Sequence, residues 1–404
     1  MLKLLDATFG LLEQCLPDGP DHPFAQTMLK HFQKLGTPLR CVQSYPGTHS
    51  QIQRFYGAGF EHMTWRNLWE LWGDPRFLSP SQRLALDKVE PFDEWEEFAL
   101  FAAHYFLLTA RKGPLDHEKV RRKSNASSAS DVSARTASPR RGENQLFGLT
   151  YVDNPSGTGR SRHGAAFALE KGVAIAHHGG IGPQSRTNMT DIYGPPSYSI
   201  PMSLLPSPNI APRLCHTITT LNNGDVILVG GRASPSAAMK DCWIQRGSTW
   251  ERIQDLPAPR YRHAAAPVIL PGNVIGLIVF GGKDGSSKVH VDPLLWDLES
   301  GWRVLSPLGY YPIPRHGANL LSLGPSHGFL FGGMRQDGIV CHGFWSWKFA
   351  IIDEKIAGIY FHSMSNSLDV SIGAYPYMAR FGATASIIGG SILIIGGIAQ
   401  SGCM

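Results

Sequence analysis

Charge and long apolar runs are both scarce in this sequence. Only 17% of the 404 residues are charged, and the formal net charge is +5. All of that excess lies between residues 111 and 143, where nine Lys/Arg stand against four Asp/Glu. Charge alone therefore does not mark either flanking region as a nucleic-acid binder. The most apolar stretch, residues 385–399, contains four glycines and is too short to span a membrane.

The cysteines and histidines also lack any metal-binding or disulfide pattern. The six cysteines form no CxxC, and the sixteen histidines form no HxxxH. Such usage indicates reduced thiols and predicts no metal site. The N-terminal residues 1–19 are interrupted by Asp6 and Glu13 and make a poor signal peptide. We therefore expect a soluble, cytoplasmic protein with no membrane partner.

Composition divides the chain into three regions. Residues 1–113 mix helical and strand patterns, and residues 146–404 consist of short apolar runs. Between them, residues 114–145 are rich in Ser and Arg and almost free of large apolar side chains. A segment of that kind cannot bury enough surface to order itself, so it is interpreted as a flexible linker.

The third region is built from repeats. Its apolar runs end in glycine pairs with successive spacings of 51, 51, 51 and 64 residues. The pairs are Gly179-Gly180, Gly230-Gly231, Gly281-Gly282, Gly332-Gly333 and Gly396-Gly397. An arginine heads each repeat, at Arg162, Arg213, Arg260, Arg315 and Arg380. Tryptophans recur late in the middle repeats, as Trp243/Trp250, Trp296/Trp302 and Trp345/Trp347.

Three marks with a common period near 50 residues predict a kelch β-propeller with four strands to a blade. The glycine pair would end the second strand, and the tryptophans would pack one blade against the next. The heading arginines are interpreted as structural. The repeats amount to about four and a half blades, to which the strand-like residues 145–152 could add a strand. A break inside a repeat favours a truncated chain with an incomplete ring.

Two short motifs invite a catalytic interpretation that their context does not favour. "GPSHG" (residues 324–328) matches a nucleophile elbow, but it joins two predicted strands, whereas the elbow requires a strand followed by a helix. "YGAGFEH" (residues 56–62) resembles a cofactor-binding loop, but no apolar strand precedes it. A hairpin turn and a helix-ending glycine are the preferred interpretations.

The first region begins with a β-α-β pattern. A strand over Phe9–Leu12 leads into an amphipathic helix, and residues 37–45 are predicted as a second strand. This order indicates part of an α/β sheet. Glu13 and Gln14 follow the first strand, at the edge where open α/β sheets usually contact ligands.

A second acidic segment, "VEPFDEWEEFALFAAHYFLL" (residues 89–108), has apolar residues at helical spacing after Pro91. Asp93 is a plausible N-cap, and the other acids fall in the first turns, where carboxylates favour the helix dipole. We interpret them as the solvated start of a core helix, with no identifiable acid/base partner. Catalytic residues stay unknown; Glu13, Gln14, Glu90 and Asp93 are the candidates for the substrate side.

Three segments carry a family resemblance: "LLEQCLPDGPDHPFAQTMLKHF", "RNLWELWGDPRFLS" and "LDKVEPFDEWEEFALFAAHYFLL". Together they resemble the C-terminal part of the leucine carboxyl methyltransferase family. The resemblance covers residues 1–112, and the kelch propeller that follows is similar to the fungal tRNA-modifying branch of that family. It implies an incomplete Rossmann-like sheet joined to an all-β propeller.

The same resemblance implies an enzyme of wybutosine biosynthesis that uses S-adenosyl-L-methionine. Its substrate would be tRNA(Phe), with methylation of the α-carboxylate of the wybutosine precursor and methoxycarbonylation of its α-amino group. The family's cofactor residues would lie upstream of Met1, so we expect no cofactor-binding residue and no measurable cofactor binding by this chain. Two alternatives stay open: a non-catalytic kelch interaction protein with a partner on the propeller, and a protein leucine carboxyl methyltransferase.

Overall fold

The computed structural model describes residues 6–89, 92–113, 162–169, 174–182, 185–194, 210–246, 249–364, 378–388 and 390–400. Three predictions lie outside these residues: the linker at 114–145, the strand at 145–152 and the substrate-side role of Glu90. None of the helices in the described ranges is both long and apolar enough to cross a membrane.

In the N-terminal part, residues 6–113, a small sheet is flanked by helices. The elements are β1 (Ala7–Gln14), α1 (Pro23–Lys34), α2 (Thr48–Gly57), β2 (His62–Asn67), α3 (Leu68–Gly73), α4 (Pro80–Val89), α5 (Trp95–Ala103) and β3 (Tyr105–Lys112). Strand β3 lies between β1 and β2 and runs antiparallel to both. β1 and β2 are therefore parallel to each other.

The predicted β-α-β start is confirmed in its first two elements and wrong in its third. The strand over Phe9–Leu12 lies inside β1, and the helix that follows is α1. Residues 37–45 form no strand, because the amides of Ser44 and Tyr45 both bond back to the carbonyl of Cys41 and close a turn.

The helix predicted after Pro91 is shorter than expected. It ends at Ala103, and the chain continues at once into β3. On β3 the buried residues alternate as Phe106, Leu108 and Ala110, which is strand periodicity. Apolar residues near the joint fit both periods, so the sequence pattern alone did not separate helix from strand.

The described residues from 162 onward form one main sheet for each of the five predicted repeats, and a separate two-stranded sheet lies within the second repeat. Blade 1 consists of β4 (Ala165–Leu169), β5 (Ala174–His178) and β6 (Thr190–Tyr193), and blade 2 consists of β7 (Thr217–Thr220), β8 (Val226–Val229), the short pair β9 (Arg232–Ser234) and β10 (Ala237–Ala238), β11 (Cys242–Arg246) and β12 (Thr249–Ile253). Blade 3 consists of β13 (Ala264–Leu270), β14 (Val274–Phe280), β15 (Leu294–Asp297) and β16 (Gly301–Val304), with a 3-10 turn at Pro271–Asn273. Blade 4 consists of β17 (Pro307–Leu308), β18 (His316–Gly324), β19 (His327–Met334), β20 (Phe344–Ile352) and β21 (Lys355–Ser363), and blade 5 consists of β22 (Thr384–Ile388) and β23 (Ser391–Ile395).

The repeat marks behave as the sequence predicts. Trp243 packs in one apolar cluster with residues of blade 1, Trp296 with residues of blade 2, and Trp347 with residues of blade 3. Each therefore joins its own blade to the preceding one. The total number of blades stays a prediction.

The heading arginines tie each repeat together. Arg213, Arg260 and Arg315 are buried, and each donates from Nη1 to the carbonyl of the first glycine of its own pair, at 2.9, 3.1 and 3.1 Å. The structural interpretation is confirmed for these three. Arg162 differs, since its guanidinium is exposed and contacts Glu97 instead.

The glycine pairs allow blades to approach at the backbone, which predicts a strong effect of a single methyl group. Gly281 has φ +65°, and a Cβ there would overlap the carbonyl oxygen of Arg315 in the next blade. We expect Gly281→Ala to lower the free energy of unfolding by about 3 kcal/mol. Gly272→Ala is the matched control, because Gly272 has φ +75° but open space around it. It should cost about 1 kcal/mol. Equal losses in urea denaturation would contradict the close-approach explanation.

Candidate functional site

The predicted substrate-side residues Glu13 and Gln14 are the last two residues of β1, opposite Phe106 and Tyr105 of β3. The Glu13 carboxylate lies 3.5 Å from Nη1 of Arg54, which projects from α2. The side chains of Glu13 and Arg54 are partly exposed. This edge of the sheet therefore carries an accessible cation beside a carboxylate, and its contact with a substrate stays a prediction.

Two titratable groups behind this edge are held in their neutral states. Cys15 donates its amide to the carbonyl of His104 (2.8 Å), and burial raises the pKa of its thiol to about 12. At neutral pH it is therefore a thiol and not a nucleophile. Burial also lowers the pKa of His104, which lies against Phe24 with ring centroids 4.5 Å apart. No sequence pattern marks His104, which stands alone between alanine and tyrosine.

Asp93 lies elsewhere, at the junction between the N-terminal part and the propeller. It is 1% exposed, and its carboxylate lies 2.7 Å from Nε of Arg232 and 2.5 Å from Nε of Arg262. The expectation of a solvated carboxylate is wrong, because blades 2 and 3 cover it. Its N-cap role is also wrong, since the residue before α5 is Glu94. Enclosed by its own chain, Asp93 is not placed with Glu13 and Gln14.

Further ion pairs cross the same junction. Glu96 accepts two bonds from Arg262, at 2.7 and 2.9 Å. Lys283, 1% exposed, donates to Asp87 at 2.9 Å and to the carbonyl of Phe92 at 3.1 Å. We call this set the junction cluster: Asp87, Asp93, Glu96, Arg232, Arg262 and Lys283. Its charges are paired three against three, which is the condition for burying them.

One position of the repeat, the residue directly after the glycine pair, supplies one face of the junction. Arg232 and Lys283 each follow directly after the glycine pair of their blade. Met334 and Ile398 hold that position in blades 4 and 5 and pack in an apolar cluster with Trp69 and Trp95. A charged residue at a position that is otherwise apolar was the sequence signal for this contact, and it was missed.

Tryptophan N–H groups fix the apolar half of the junction. Nε1 of Trp69 donates to the carbonyl of Ala399, and Nε1 of Trp72 to that of Gly338, both at 2.9 Å. These bonds join α3 to the loops of blades 5 and 4. The N-terminal part is therefore held to the propeller by directional bonds as well as by apolar burial.

A group of two glutamates and one histidine lies at the rim of the junction. Glu96, Glu97 and His163 have ligand atoms within 4.8 Å of one another. However, Arg262 bonds to Glu96 and Arg162 to Glu97, so both carboxylates are already neutralised. The contact with His163, whose Nε2 lies 3.6 Å from the carboxylate, lowers the pKa of Glu97 to about 2. This arrangement favours a closed ion-pair group over a divalent cation site, and the predicted lack of a metal stays a prediction.

The two catalytic-looking motifs have the structures expected of them. In "GPSHG", Gly324 pairs with His327 to close the hairpin between β18 and β19. In "YGAGFEH", α2 ends at Gly57, and Gly59 has φ +84° with its amide bonded to the carbonyl of Tyr56 at 2.9 Å. Neither is a nucleophile elbow or a phosphate-binding loop.

Comparison with known proteins finds several relatives that share one name. Residues 210–404 match the family model described as tRNA wybutosine-synthesizing protein 4, beta-propeller. A protein of Aspergillus fumigatus named tRNA wybutosine-synthesizing protein 4 is 40% identical over 97% of this chain and 36% of its own length. Nearly the whole chain is thus similar to proteins of that name. Proteins of the same name from Aspergillus oryzae and Candida albicans are 38% and 28% identical, over 98% and 96% of this chain and 37% and 54% of their own lengths.

These similarities confirm the predicted β-propeller and the predicted fungal type of relative. The alignments continue through the N-terminal part, since they cover nearly the whole chain. The chain spans a little over a third of the length of the Aspergillus relatives. The methyltransferase origin of the N-terminal part and the kelch subtype of the propeller stay predictions.

Proposed function

We propose that this chain acts in wybutosine synthesis on tRNA. The observation that carries the proposal is the similarity to proteins named for that synthesis, which covers both the N-terminal part and the propeller. The junction cluster supports it further, because it makes the two parts one structural unit. A non-catalytic adaptor that uses only its propeller would not need an N-terminal part bound to it in this way.

The finer activity that we propose is methylation of the α-carboxylate of the wybutosine precursor on tRNA(Phe), with methoxycarbonylation of its α-amino group, in the cytoplasm. Methyl transfer to a carboxylate requires alignment of acceptor and donor, and no covalent nucleophile. The unreactive Cys15 is compatible with that chemistry. A role in protein leucine carboxyl methylation is less well supported, since the family match lies in the propeller.

The cofactor proposed for this reaction is S-adenosyl-L-methionine, which would supply the methyl group. Within the described ranges, the residues do not fit it. The glycine-rich candidate at residues 56–62 is a helix end, and Glu13 already pairs with Arg54.

The described residues fit a substrate-side role better. Arg54 lies at the carboxyl end of β1 with its guanidinium 4.9 Å from the centre of the Tyr45 ring, partly exposed. A guanidinium in that position can exchange Glu13 for a substrate carboxylate, which it would bind bidentately. We propose that Arg54 binds and orients the acceptor carboxylate or a neighbouring phosphate.

A chimera tests the proposal. The segment of the Aspergillus fumigatus relative that aligns with this chain is replaced by this chain, and the product is expressed in a fungal strain deleted for that protein. We expect wybutosine to return to tRNA(Phe), as measured by mass spectrometry of nucleosides. In the same chimera, Arg54→Gln should lower the yield about tenfold or more. Arg76→Gln, on the exposed Arg76, should not change it.

Accumulation of the precursor despite a folded, well-expressed chimera would overturn the proposed function. Full activity of the Arg54→Gln chimera would overturn only the role of Arg54.

A further inference from the structure

A cavity of about 230 Å³ opens at the junction, between the helices of the N-terminal part and a loop of blade 4. Four aromatic rings line it: Trp72, Phe92, Trp95 and Phe98. The centroids of the Trp72 and Phe92 rings lie 5.5 and 5.0 Å from that of Trp95. Aromatic walls of this kind offer flat, polarisable surfaces to a ring-shaped ligand.

The walls are fixed by bonds between the two parts of the chain. Arg83, 3% exposed, donates to the carbonyl and the carboxylate of Asp337, both at 3.0 Å, and to the carbonyl of Trp72 at 3.1 Å. Gly338 has φ +72°, and a Cβ there would lie 2.5 Å from the Trp95 ring. The cavity is therefore built in advance by side chains that are already held in place.

The charged groups around the cavity are all engaged. Arg83 pairs with Asp337, and Asp87 pairs with Lys283. A charged ligand would have to break one of these buried pairs, so the cavity favours a neutral one. One polar group is left over. Trp95 is 4% exposed, and its buried indole Nε1–H has no acceptor among the described residues. A ligand acceptor would satisfy it.

We propose that this cavity binds a neutral, flat, two-ring heteroaromatic group that carries a hydrogen-bond acceptor, a class that includes the nucleobases. Size supports two rings, since an apolar cavity of about 150 Å³ holds benzene. Binding between two parts of a chain is also a common location for small-molecule sites. The proposal does not rest on the proposed function, because it follows from the lining residues alone.

Two probes of equal shape test it. Quinoline has one ring nitrogen that accepts a hydrogen bond, and naphthalene has none. We expect both to bind saturably to the full chain by saturation-transfer NMR at neutral pH, with quinoline about fivefold tighter. In Trp95→Phe, which retains a ring but removes the N–H, quinoline and naphthalene should bind with about equal affinity.

A second variant keeps the test valid if Trp95→Phe is poorly folded. Leu86 lines the cavity and is 52% exposed, so Leu86→Trp should fill the opening and abolish binding of both probes. Tyr56→Phe, at the exposed Tyr56 outside the cavity, should leave both affinities unchanged. The proposal is overturned by a lack of saturable binding in the unmodified chain, by unaltered binding in Leu86→Trp, or by a quinoline preference that survives in folded Trp95→Phe.

Discussion

Replacing Asp93 with asparagine is expected to lower the free energy of unfolding by about 3–5 kcal/mol. The carboxylate is fully enclosed between Arg232 and Arg262, whose side chains are each 6% exposed. Asparagine has nearly the same shape but no charge, so two buried guanidinium groups would lose their shared counter-ion. Arg262 would retain Glu96, whereas Arg232 has no other ion-pair partner among the described residues. The measurement is urea denaturation followed by far-UV circular dichroism.

The neighbouring residue provides the control for this loss. Glu94→Gln removes the same charge one position away, on a side chain that is exposed. Such a change should stay within about 0.5 kcal/mol. If Asp93→Asn were as mild as Glu94→Gln, the ion pairs would not hold the two parts together.

Acidification from pH 7 to pH 5 is expected to remove on the order of 5 kcal/mol of stability. Four histidines in or next to the first two strands of blades 1 to 4 are buried: His178, His216, His263 and His316. Burial lowers the pKa of His178 to about 4 and of His263 to about 3, each with help from a nearby arginine. Burial likewise holds the pKa of His216 and His316 well below the ordinary range.

Stability falls on acidification because the unfolded chain binds more protons than the folded chain. The ordinary histidine pKa is about 6.5, so below that pH the unfolded chain takes up protons that the folded chain refuses. The stabilisation is complete above pH 6.5 and is lost as the pH falls towards the folded pKa values. At pH 5 each histidine costs up to about 2 kcal/mol. His178 and His216 share a hydrogen bond of 3.1 Å, so their losses are not independent.

Two histidine variants separate this cause from a general acid effect. The free energy of unfolding is measured at half-unit steps of pH for each protein. His316→Gln removes one buried histidine and should reduce the slope between pH 6.5 and 5. His49→Gln removes an exposed histidine and should leave the slope as it was. A stability that is flat from pH 7 to pH 5 would contradict the prediction.

The repeats were predictable from sequence because each blade needs the same few residues. A left-handed glycine pair, a buried arginine that bonds to it and a tryptophan between blades are local requirements that recur at one period. The N-terminal elements were less predictable. Residues 37–45 have the composition of a strand, but the Cys41 carbonyl closes a turn there, which composition does not encode.

The role of Asp93 could not be predicted from its own neighbourhood. Carboxylates at the start of an amphipathic segment usually face solvent, and that expectation rests on one helix considered alone. The partners of Asp93 lie 139 and 169 residues further along the chain. Only the positions of Arg232 and Lys283, charged where other blades place Met334 and Ile398, pointed towards an acidic partner. Sequence cannot say which of several acids that partner is.

A double-mutant cycle between Asp93 and Arg232 tests whether buried ion pairs hold the N-terminal part to the propeller. Asp93→Asn, Arg232→Met and the double variant are compared with the unmodified chain by urea denaturation. We expect a coupling energy of about 2 kcal/mol or more, with the double variant more stable than the sum of the single losses implies. Losses that add to within about 0.5 kcal/mol would contradict it.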